Sequence, residues 1–302
     1  MIIVHLIGGL GNQMFQYALG RHLAEKNSTL LKLDLSGFET YKLHRYGLHC
    51  FKTWEHVATI EEIETFKRKG NTRVARLVSK IGKRLGVLSP ATSDFYQDTI
   101  VLKEKRPSFD PSVLEAKGNI YLEGYWQSEK YFSAIRDILL REFAFKYEQD
   151  AKSREIAGQI QKTQSVSLHI RRGDYVHAPL ANQFHGLCSL DYYQKAVNYI
   201  YQKIPDCHFY IFSDDHSWVC ENFKLDYPVT MVDHNDADKD YEDLRLMSLC
   251  KYNIIANSSF SWWGAWLNAN PEKIVLCPER WFNDLSLDIK DLMPDSWIRV
   301  SG

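Results

Sequence analysis

A chain of 302 residues that is 45% hydrophobic and 13% aromatic holds enough apolar material for one large or two ordinary folded domains, which excludes a disordered or fibrous class. Its 37 basic and 38 acidic side chains leave a formal net charge of −1, so no global field favours nucleic acid and any anion site must be local. The six cysteines, Cys50, Cys188, Cys207, Cys220, Cys250 and Cys277, include no CxxC pair, which argues against a zinc site and for reduced thiols.

Residues 2–7 (IIVHLI) predict a buried strand, followed by Gly8-Gly9-Leu10-Gly11-Asn12 and a helix with Met14, Phe15, Ala18, Leu19 and Leu23 on one face. Asn12 is typed for an N-cap, and Gly9 and Gly11 let backbone N–H groups approach a ligand at a helix N-terminus, where the dipole favours anions. A dinucleotide-binding turn competes for this block, because Leu30–Leu35 predicts a second strand with Asp34 where a ribose-binding acid would fall. The fingerprint fails at its third glycine, which is Met14, and an NAD enzyme is disfavoured. The opening residues carry no basic segment or cleavage site, and no stretch approaches 18 apolar residues; the expectation is a cytoplasmic protein without signal peptide or spanning helix.

From Ser36 to Ile60 the pattern is irregular, and Phe38, Tyr41, His44, Tyr46, His49 and Trp54 either face a sugar or fill a loop-rich core. Residues 67–86 carry Lys67, Arg68, Lys69, Arg73, Arg76, Lys80, Lys83 and Arg84 without an acid, while Val74, Leu77, Val78, Ile81 and Leu85 recur at helical spacing. This predicts a basic amphipathic helix, read either as a solvated face over an ordinary core stripe or as a peripheral contact with an anionic membrane or a lipid-linked acceptor. Residues 89–118 are rich in turn formers and charges; Ile120–Glu123 then predicts a strand running into GYWQSEKYF at 124–132. A helix with Ile135, Ile138, Leu139 and Phe143 inward follows, and an amphipathic segment near 150–163 links to a second domain, giving domains 1–160 and 161–302.

The second half alternates regularly: strand 165–170, helix 190–204, strand 207–212, helix 216–223, strand 229–232, helix 240–251, strand 253–256, helix 260–269, strand 273–276. Such alternation predicts a parallel, doubly wound α/β sheet, in which ligands bind beyond the carboxyl ends of the strands. The run SVSLHIRRGDY at 165–175 leaves a buried strand for Arg171 and Arg172, whose guanidinium forks suit phosphate oxygens or, more plainly, protein carboxylates. Ser213-Asp214-Asp215 and Asn257-Ser258-Ser259-Phe260 close two other strands, so cations, carboxylates and hydroxyls converge on one edge. Asp215 or Asp243 could accept hydrogen bonds from the amino and imino N–H groups of a guanine-like base, and Ser258, Ser259 and the backbone N–H groups behind them could bind phosphate.

Five blocks, GGLGNQMFQY at 8–17, GYWQSEKYF at 124–132, HIRRGDYV at 169–176, FSDD at 212–215 and YEDLRLMSLCKYNIIANSSFSWWGAWLN at 241–268, resemble the motifs of glycosyltransferase family 11, the α-1,2-fucosyltransferases. More distantly they resemble the α-1,6- and protein O-fucosyltransferases. The resemblance implies a GT-B-like α/β fold of two Rossmann-like domains, 1–160 on the acceptor side and 161–302 binding the GDP-sugar, with the donor site in the cleft between them. It implies inverting transfer of L-fucose from GDP-β-L-fucose to the 2-hydroxyl of a terminal galactose in an oligosaccharide, with no required metal or other cofactor. Eukaryotic members carry an N-terminal membrane anchor; its absence here implies a bacterial-type cytoplasmic or peripheral enzyme acting on oligosaccharides before export.

Carried over residue by residue, the resemblance gives Arg171 the donor diphosphate, with Arg172 in support. It gives Asp243, sixteen residues before Ser259, the guanine, and places Asn12 beside the transferring sugar. The donor set is then Gly9, Gly11, Asn12, Gln13, His169, Arg171, Arg172, Asp215, Asp243, Asn257, Ser258, Ser259 and Phe260. The α-1,6 relatives carry a glutamate five residues past the motif aspartate where this chain has Pro179, so the base comes from elsewhere; Asp174 and then His185 are the candidates, joining Arg171 and Asn12 in the catalytic set. Two alternatives stand beside this reading: a metal-dependent glycosyltransferase using Asp236 and Asp238 for Mg²⁺ or Mn²⁺, and a non-catalytic GDP-sugar-binding module.

Overall fold

The computed structural model describes residues 1–40, 43–70, 99–173, 186–236, 238–284 and 286–302. The chain divides into two units, Met1–Ala144 and Phe145–Gly302. The division precedes the boundary read near residue 160, because the amphipathic segment behind it packs its Ile156, Ala157 and Ile160 into the second unit's core.

In the first unit β1 (Ile2–His5), β2 (Leu31–Asp34), β3 (Thr99–Lys103) and β4 (Asn119–Glu123) form a sheet of order β2-β1-β4-β3 in which every neighbour is parallel. The alternating pattern of β1 sends Ile3 to one face, where it meets Ile63 and Phe66 of α3 (Ile60–Gly70). A single turn, α2 (Gly37–Thr40), follows β2, and Val4 faces the other side of the sheet, against α1 (Leu10–Lys26). Close packing there is made at Gly20, where a Cβ would stand 2.9 Å from Leu31 Cδ1 and 3.3 Å from Val4 Cβ. This glycine stands a turn and a half beyond Met14, which fills the third glycine position of a dinucleotide-binding turn. β3 escaped the sequence reading, its apolar Ile100–Leu102 being brief and flanked by charges.

The sequence predicts one apolar face for α1, yet the helix is enclosed nearly all round, with Gln13, Gln16, Tyr17 and Arg21 buried among its apolar residues. Burying such groups requires partners. Gln13 Nε2 donates to the Gly8 and Arg45 carbonyls, each at 2.8 Å, while its Oε1 accepts the Gly47 amide. Gln16 Oε1 accepts the Ile7 amide at 3.0 Å, and its Nε2 donates to the Gly124 carbonyl. Tyr17 and Arg21 converge on Glu142, at the end of α4 (Arg136–Glu142): the hydroxyl donates at 2.6 Å and Arg21 Nε at 2.9 Å. These bonds tie the loops around the first sheet to its central helix.

In the second unit α5 (Ala151–Lys162) leads into β5 (Gln164–Ile170), and the chain continues through α6 (Leu190–Lys203), β6 (Cys207–Ser213), α7 (His216–Asn222) and β7 (Val229–Val232). It returns through α8 (Asp240–Leu249), β8 (Tyr252–Ile254), α9 (Ser259–Leu267), β9 (Val275–Pro278) and β10 (Ile298–Val300). The order is β10-β9-β8-β5-β6-β7, all parallel. Tyr192, Tyr193, Ala196, Val197 and Ile200 of α6 and Val219 of α7 cover one face; α5 and α8 cover the other over Tyr210 and Phe212. The strands advance from β5 to β6 and β7 and then jump back to β8 on the opposite side of β5. This reversal opens the crevice that doubly wound sheets use for ligands. The anticipated elements all form, with ends displaced by a few residues, and β10 adds an edge strand.

Within the buried Tyr17–Glu142–Arg21 cluster, deleting the carboxylate leaves the Tyr17 hydroxyl without its acceptor and Arg21 Nε unpaired, with Glu25 alone still held by Nη1. Glu142→Ala is expected to cost about 3 kcal/mol, read as a lower urea midpoint at unchanged slope.

Candidate functional site

The carboxyl ends of β8, β5 and β6 lie side by side: Leu168 pairs with Ile254 and Ile170 with Ser213. The residues next along the chain are therefore neighbours, and the Arg171-Arg172 pair emerges beside Asp214-Asp215. Arg171 Nη1 lies 2.9 Å from Asp214 Oδ2. Asp214 Oδ1 accepts the Arg172 amide at 2.8 Å, and the Gly173 amide adds to the same carboxylate. Burial pushes the Asp214 carboxyl up, but Arg171 and these two amides outweigh it and hold the group below its ordinary value. Gly173 is required by this arrangement: a Cβ there would stand 2.5 Å from Asp214 Oδ2.

Arg172 turns the other way. Its Nε donates to Asp215 Oδ2 at 3.2 Å and its guanidinium lies 3.6 Å from the centre of the Trp218 ring. Asp215 also caps α7, accepting the Trp218 amide. Arg172 and Asp215 are thus committed to the protein's own framework, and Arg171 is the fork that the Asp214 turn carries at the sheet edge. The register of β5 against β6 predicts the Asp214 partnership; the run of two aspartates gave no means of telling them apart by composition.

His169, 4% exposed, lies on the α5–α8 face with its ring 5.9 Å from that of Phe260. Burial pushes its imidazole down to about 4, against the pull of Asp214, so it is neutral at physiological pH. Its Nδ1 has no hydrogen-bond partner among the described residues. Across the crevice Ser258 occupies the N-cap of α9, yet its side chain makes no capping bond, and Ser259 opens the helix. Asn257 is held inward: its Nδ2 donates to the Gly186 and Trp281 carbonyls, and its Oδ1 accepts the Cys188 thiol.

Asp243, half-buried in the first turn of α8, accepts Asn235 Nδ2 at 2.7 Å. Burial pushes its carboxyl up to about 7; Asn235 opposes the shift, and Asp240 and Glu242 reinforce it. Asp236 Oδ1 accepts the Asp238 amide at 3.0 Å, closing a tight turn. No group of three or more His, Cys, Asp or Glu side chains among the described residues is placed to hold a metal ion.

In the first unit the glycine block caps α1 differently from expectation. Gly9, not Asn12, is the N-cap, in extended conformation at φ −69°, and its carbonyl accepts the Asn12 and Gln13 amides. Asn12 lies within the first turn and its Oδ1 accepts Gln127 Nε2 at 2.8 Å. Gly8 needs its positive φ of +84°, and a Cβ there would stand 2.6 Å from Asn12 Nδ2. Gly9 runs under the His44 imidazole, and Gly11 is buried in the first turn. Gln13, predicted to contact the donor, spends its amide on backbone groups. Gln127 is a partner of Asn12 that the sequence reading did not single out, although it stands in the 124–132 block.

Asp174, His185 and residues 71–86 of the basic stretch lie outside the described residues. Lys67, at the start of that stretch, lies 3.5 Å from the buried Asp34 carboxylate and 4.9 Å from the Tyr121 ring centre. Asp34 also accepts the Tyr121 hydroxyl at 2.5 Å and the Ser36 amide at 2.9 Å, which leaves it a structural anion. No helix of the described residues is long and apolar enough to cross a membrane.

Two parallel sheets, one with an arginine fork and an uncapped helix at its carboxyl edge, define an α/β protein equipped for an anionic ligand. The family model for glycosyl transferase family 11 matches residues 103–301. An Escherichia coli alpha-1,2-colitosyltransferase is 34% identical over 305 aligned residues, covering 99% of each chain. The E. coli O-antigen biosynthesis glycosyltransferase WbnK is 33% identical over 98% of this chain and 99% of that one. Rat galactoside alpha-(1,2)-fucosyltransferase 1 is 26% identical over 48% of this chain and 41% of its own. A crystal structure of NodZ alpha-1,6-fucosyltransferase soaked with GDP-fucose aligns over 94% of this chain and 95% of that chain, at TM-score 0.49 and 14% identity. The chain belongs to glycosyl transferase family 11 and is a glycosyltransferase.

The Asp214 turn makes a pH prediction. A carboxyl held below its ordinary value of 3.8 contributes stability that is present above that value and lost as pH falls through the depressed one. Asp214→Asn should therefore be less stable than wild type by a constant margin at neutral pH, and the margin should close as pH falls below about 4, measured by urea denaturation across pH.

Proposed function

We propose that this chain transfers L-fucose from GDP-β-L-fucose to the 2-hydroxyl of a terminal galactose in an oligosaccharide, with inversion and without a metal. The observation that carries the reading is the convergence at the second unit's carboxyl edge. It sets the Arg171 fork beside the uncapped N-terminus of α9, with Asp243 in the first turn of the nearby α8. A guanidinium and helix amides suit a diphosphate; a carboxylate suits the N–H pair of guanine. The names of the relatives add the α-1,2 linkage and the galactoside acceptor.

The chemistry then follows from charge. The bond between the sugar's anomeric carbon and the diphosphate oxygen breaks as the acceptor oxygen bonds to that carbon from the opposite side. Negative charge grows on the leaving diphosphate, so Arg171 and the α9 amides stabilise the transition state more than the ground state. The acceptor's hydroxyl proton passes to a base, for which Asp174 and then His185 are nominated. His169, neutral and buried behind Arg171, supports the fork without competing for the anion. Asp243 is preferred over Asp215 for guanine because Asp215 already serves Arg172 and α7.

A second donor is favoured by one observation, the 34% identity over 99% of both chains with an alpha-1,2-colitosyltransferase. Colitose is the 3-deoxy counterpart of L-fucose, and the two donors differ at one hydroxyl. Metal dependence through Asp236 and Asp238 is less favoured, since Asp236 already binds the Asp238 amide.

The test is GDP release from GDP-fucose and GDP-colitose with lactose or N-acetyllactosamine, in EDTA. Acceptor-dependent release is expected, and Arg171→Ala should lower it about a hundredfold to a thousandfold. Release that requires Mn²⁺ would refute the metal-free reading, and tight GDP binding without turnover of either donor would make the chain a binding module. Asp243 supplies a second check. Guanine binding favours the ionised carboxylate, whose value in the empty site is about 7, so binding expels a proton. Affinity for GDP-fucose should fall up to tenfold per pH unit below about 7 and level off above it. Asp243→Asn should bind more weakly and without that slope, by calorimetry.

A further inference from the structure

The carboxyl end of β4 carries a turn that the donor reading leaves unused. Trp126 there has φ +58°, a left-handed backbone that costs a bulky residue about 1–3 kcal/mol and persists only where its surroundings impose it. Glu104, just past β3, imposes it: one carboxylate oxygen accepts the Tyr125 amide at 2.6 Å and the other the Trp126 amide at 3.0 Å. Gly124 belongs to the same clamp, since a Cβ there would stand 2.4 Å from Glu104 Cβ. Burial raises the Glu104 carboxyl above its ordinary value, and the two amides oppose that shift.

The clamp presents a distinctive surface. Tyr125 is 44% exposed although its backbone is tied down. Gln127, two residues along the same turn, meets Asn12 at 2.8 Å, so two primary amides stand together there. The Trp126 indole, 2% exposed, keeps an Nε1–H with no partner among the described residues. Lys103, the cation at this edge, is neutralised by Glu123 at 2.9 Å. An aromatic face with amides and paired charges suits an uncharged polyhydroxylated ligand, where the second unit's arginine edge suits an anion.

We propose that the turn Gly124–Gln127 is a subsite for an uncharged pyranoside, with Tyr125 stacking under the sugar's C–H face, the Asn12 and Gln127 amides meeting its hydroxyls, and Glu104 as the positioning residue. A β-galactoside fits best, because its axial O4 leaves C3–H, C4–H and C5–H on one unbroken face. The identification of this sugar as the acceptor rests on the proposed transferase activity.

Saturation-transfer NMR with lactose as the probe tests the subsite without turnover. Saturation of the galactose C–H protons is expected in wild type and Tyr125→Trp and should fall about tenfold in Tyr125→Ala. Equal saturation in wild type and Tyr125→Ala, or none in wild type, overturns the subsite. In kinetics with GDP-fucose, Tyr125→Ala should raise the KM for lactose about tenfold while the KM for GDP-fucose and acceptor-free hydrolysis stay unchanged. A matching rise in the GDP-fucose KM assigns Tyr125 to the donor and overturns the acceptor role. Glu104→Gln places an NH₂ against a backbone N–H; it should raise the lactose KM with GDP affinity unchanged, and equal losses of both would refute its positioning role. Wild type that binds lactose yet releases no GDP from either donor would refute the transferase reading alone.

Discussion

The Asp214 carboxylate is the constraint on which the second unit's edge depends. One side chain gathers the Arg171 guanidinium and the amides of Arg172 and Gly173, so the chain leaving β5 turns in a defined way through Gly173. A partly exposed ion pair such as Arg171–Asp214 is weak evidence for stability, because solvent screens the attraction and ordering two side chains opposes it. Its value here is geometric: it aims a long, flexible side chain that would otherwise sample many rotamers, reducing the entropy lost when a ligand is gripped. Arg172, stacked on Trp218 and bonded to Asp215, does the same for the neighbouring turn.

Much of this architecture was legible in the sequence because the second half repeats a strong period: apolar strands of three to seven residues separated by helices. That pattern places Arg171, Asp214 and Ser258 at one sheet edge before any coordinate is known. What it could not give was partnership. Arg171 and Arg172 are adjacent and alike in type, yet one faces Asp214 and the other Trp218, a distinction made by the turn geometry around Gly173. β3 was hidden because Thr99–Lys103 is short and amid charges, and becomes a strand through its pairing with β4. Asn12 was misplaced as a cap because local typing sees its side chain but not Gln127, distant in sequence and adjacent in space.

The two units divide the chemistry by charge. The second carries the guanidinium and a strongly perturbed carboxylate. The first carries amides and aromatic rings, and its buried charges are consumed internally, Asp34 by Tyr121 and Ser36, Glu142 by Tyr17 and Arg21.

Two of the helix starts that lack a side-chain cap follow directly from the carboxyl ends of central strands. α1 begins at Gly9, which has no side chain, and α9 begins at Ser258, whose hydroxyl makes no capping bond. The glycine start forgoes a few tenths of a kcal/mol and the unused serine cap about 1 kcal/mol in the empty protein. Both omissions fall at the carboxyl edges of the sheets, where a ligand can complete the helix. Stability in this molecule is therefore partly held in reserve: a ligand that supplies the missing acceptors acts as a removable cap, and the folded state's resistance to heat becomes a readout of how much of that ligand surrounds it, about 2.7 kcal/mol at a hundredfold excess over Kd.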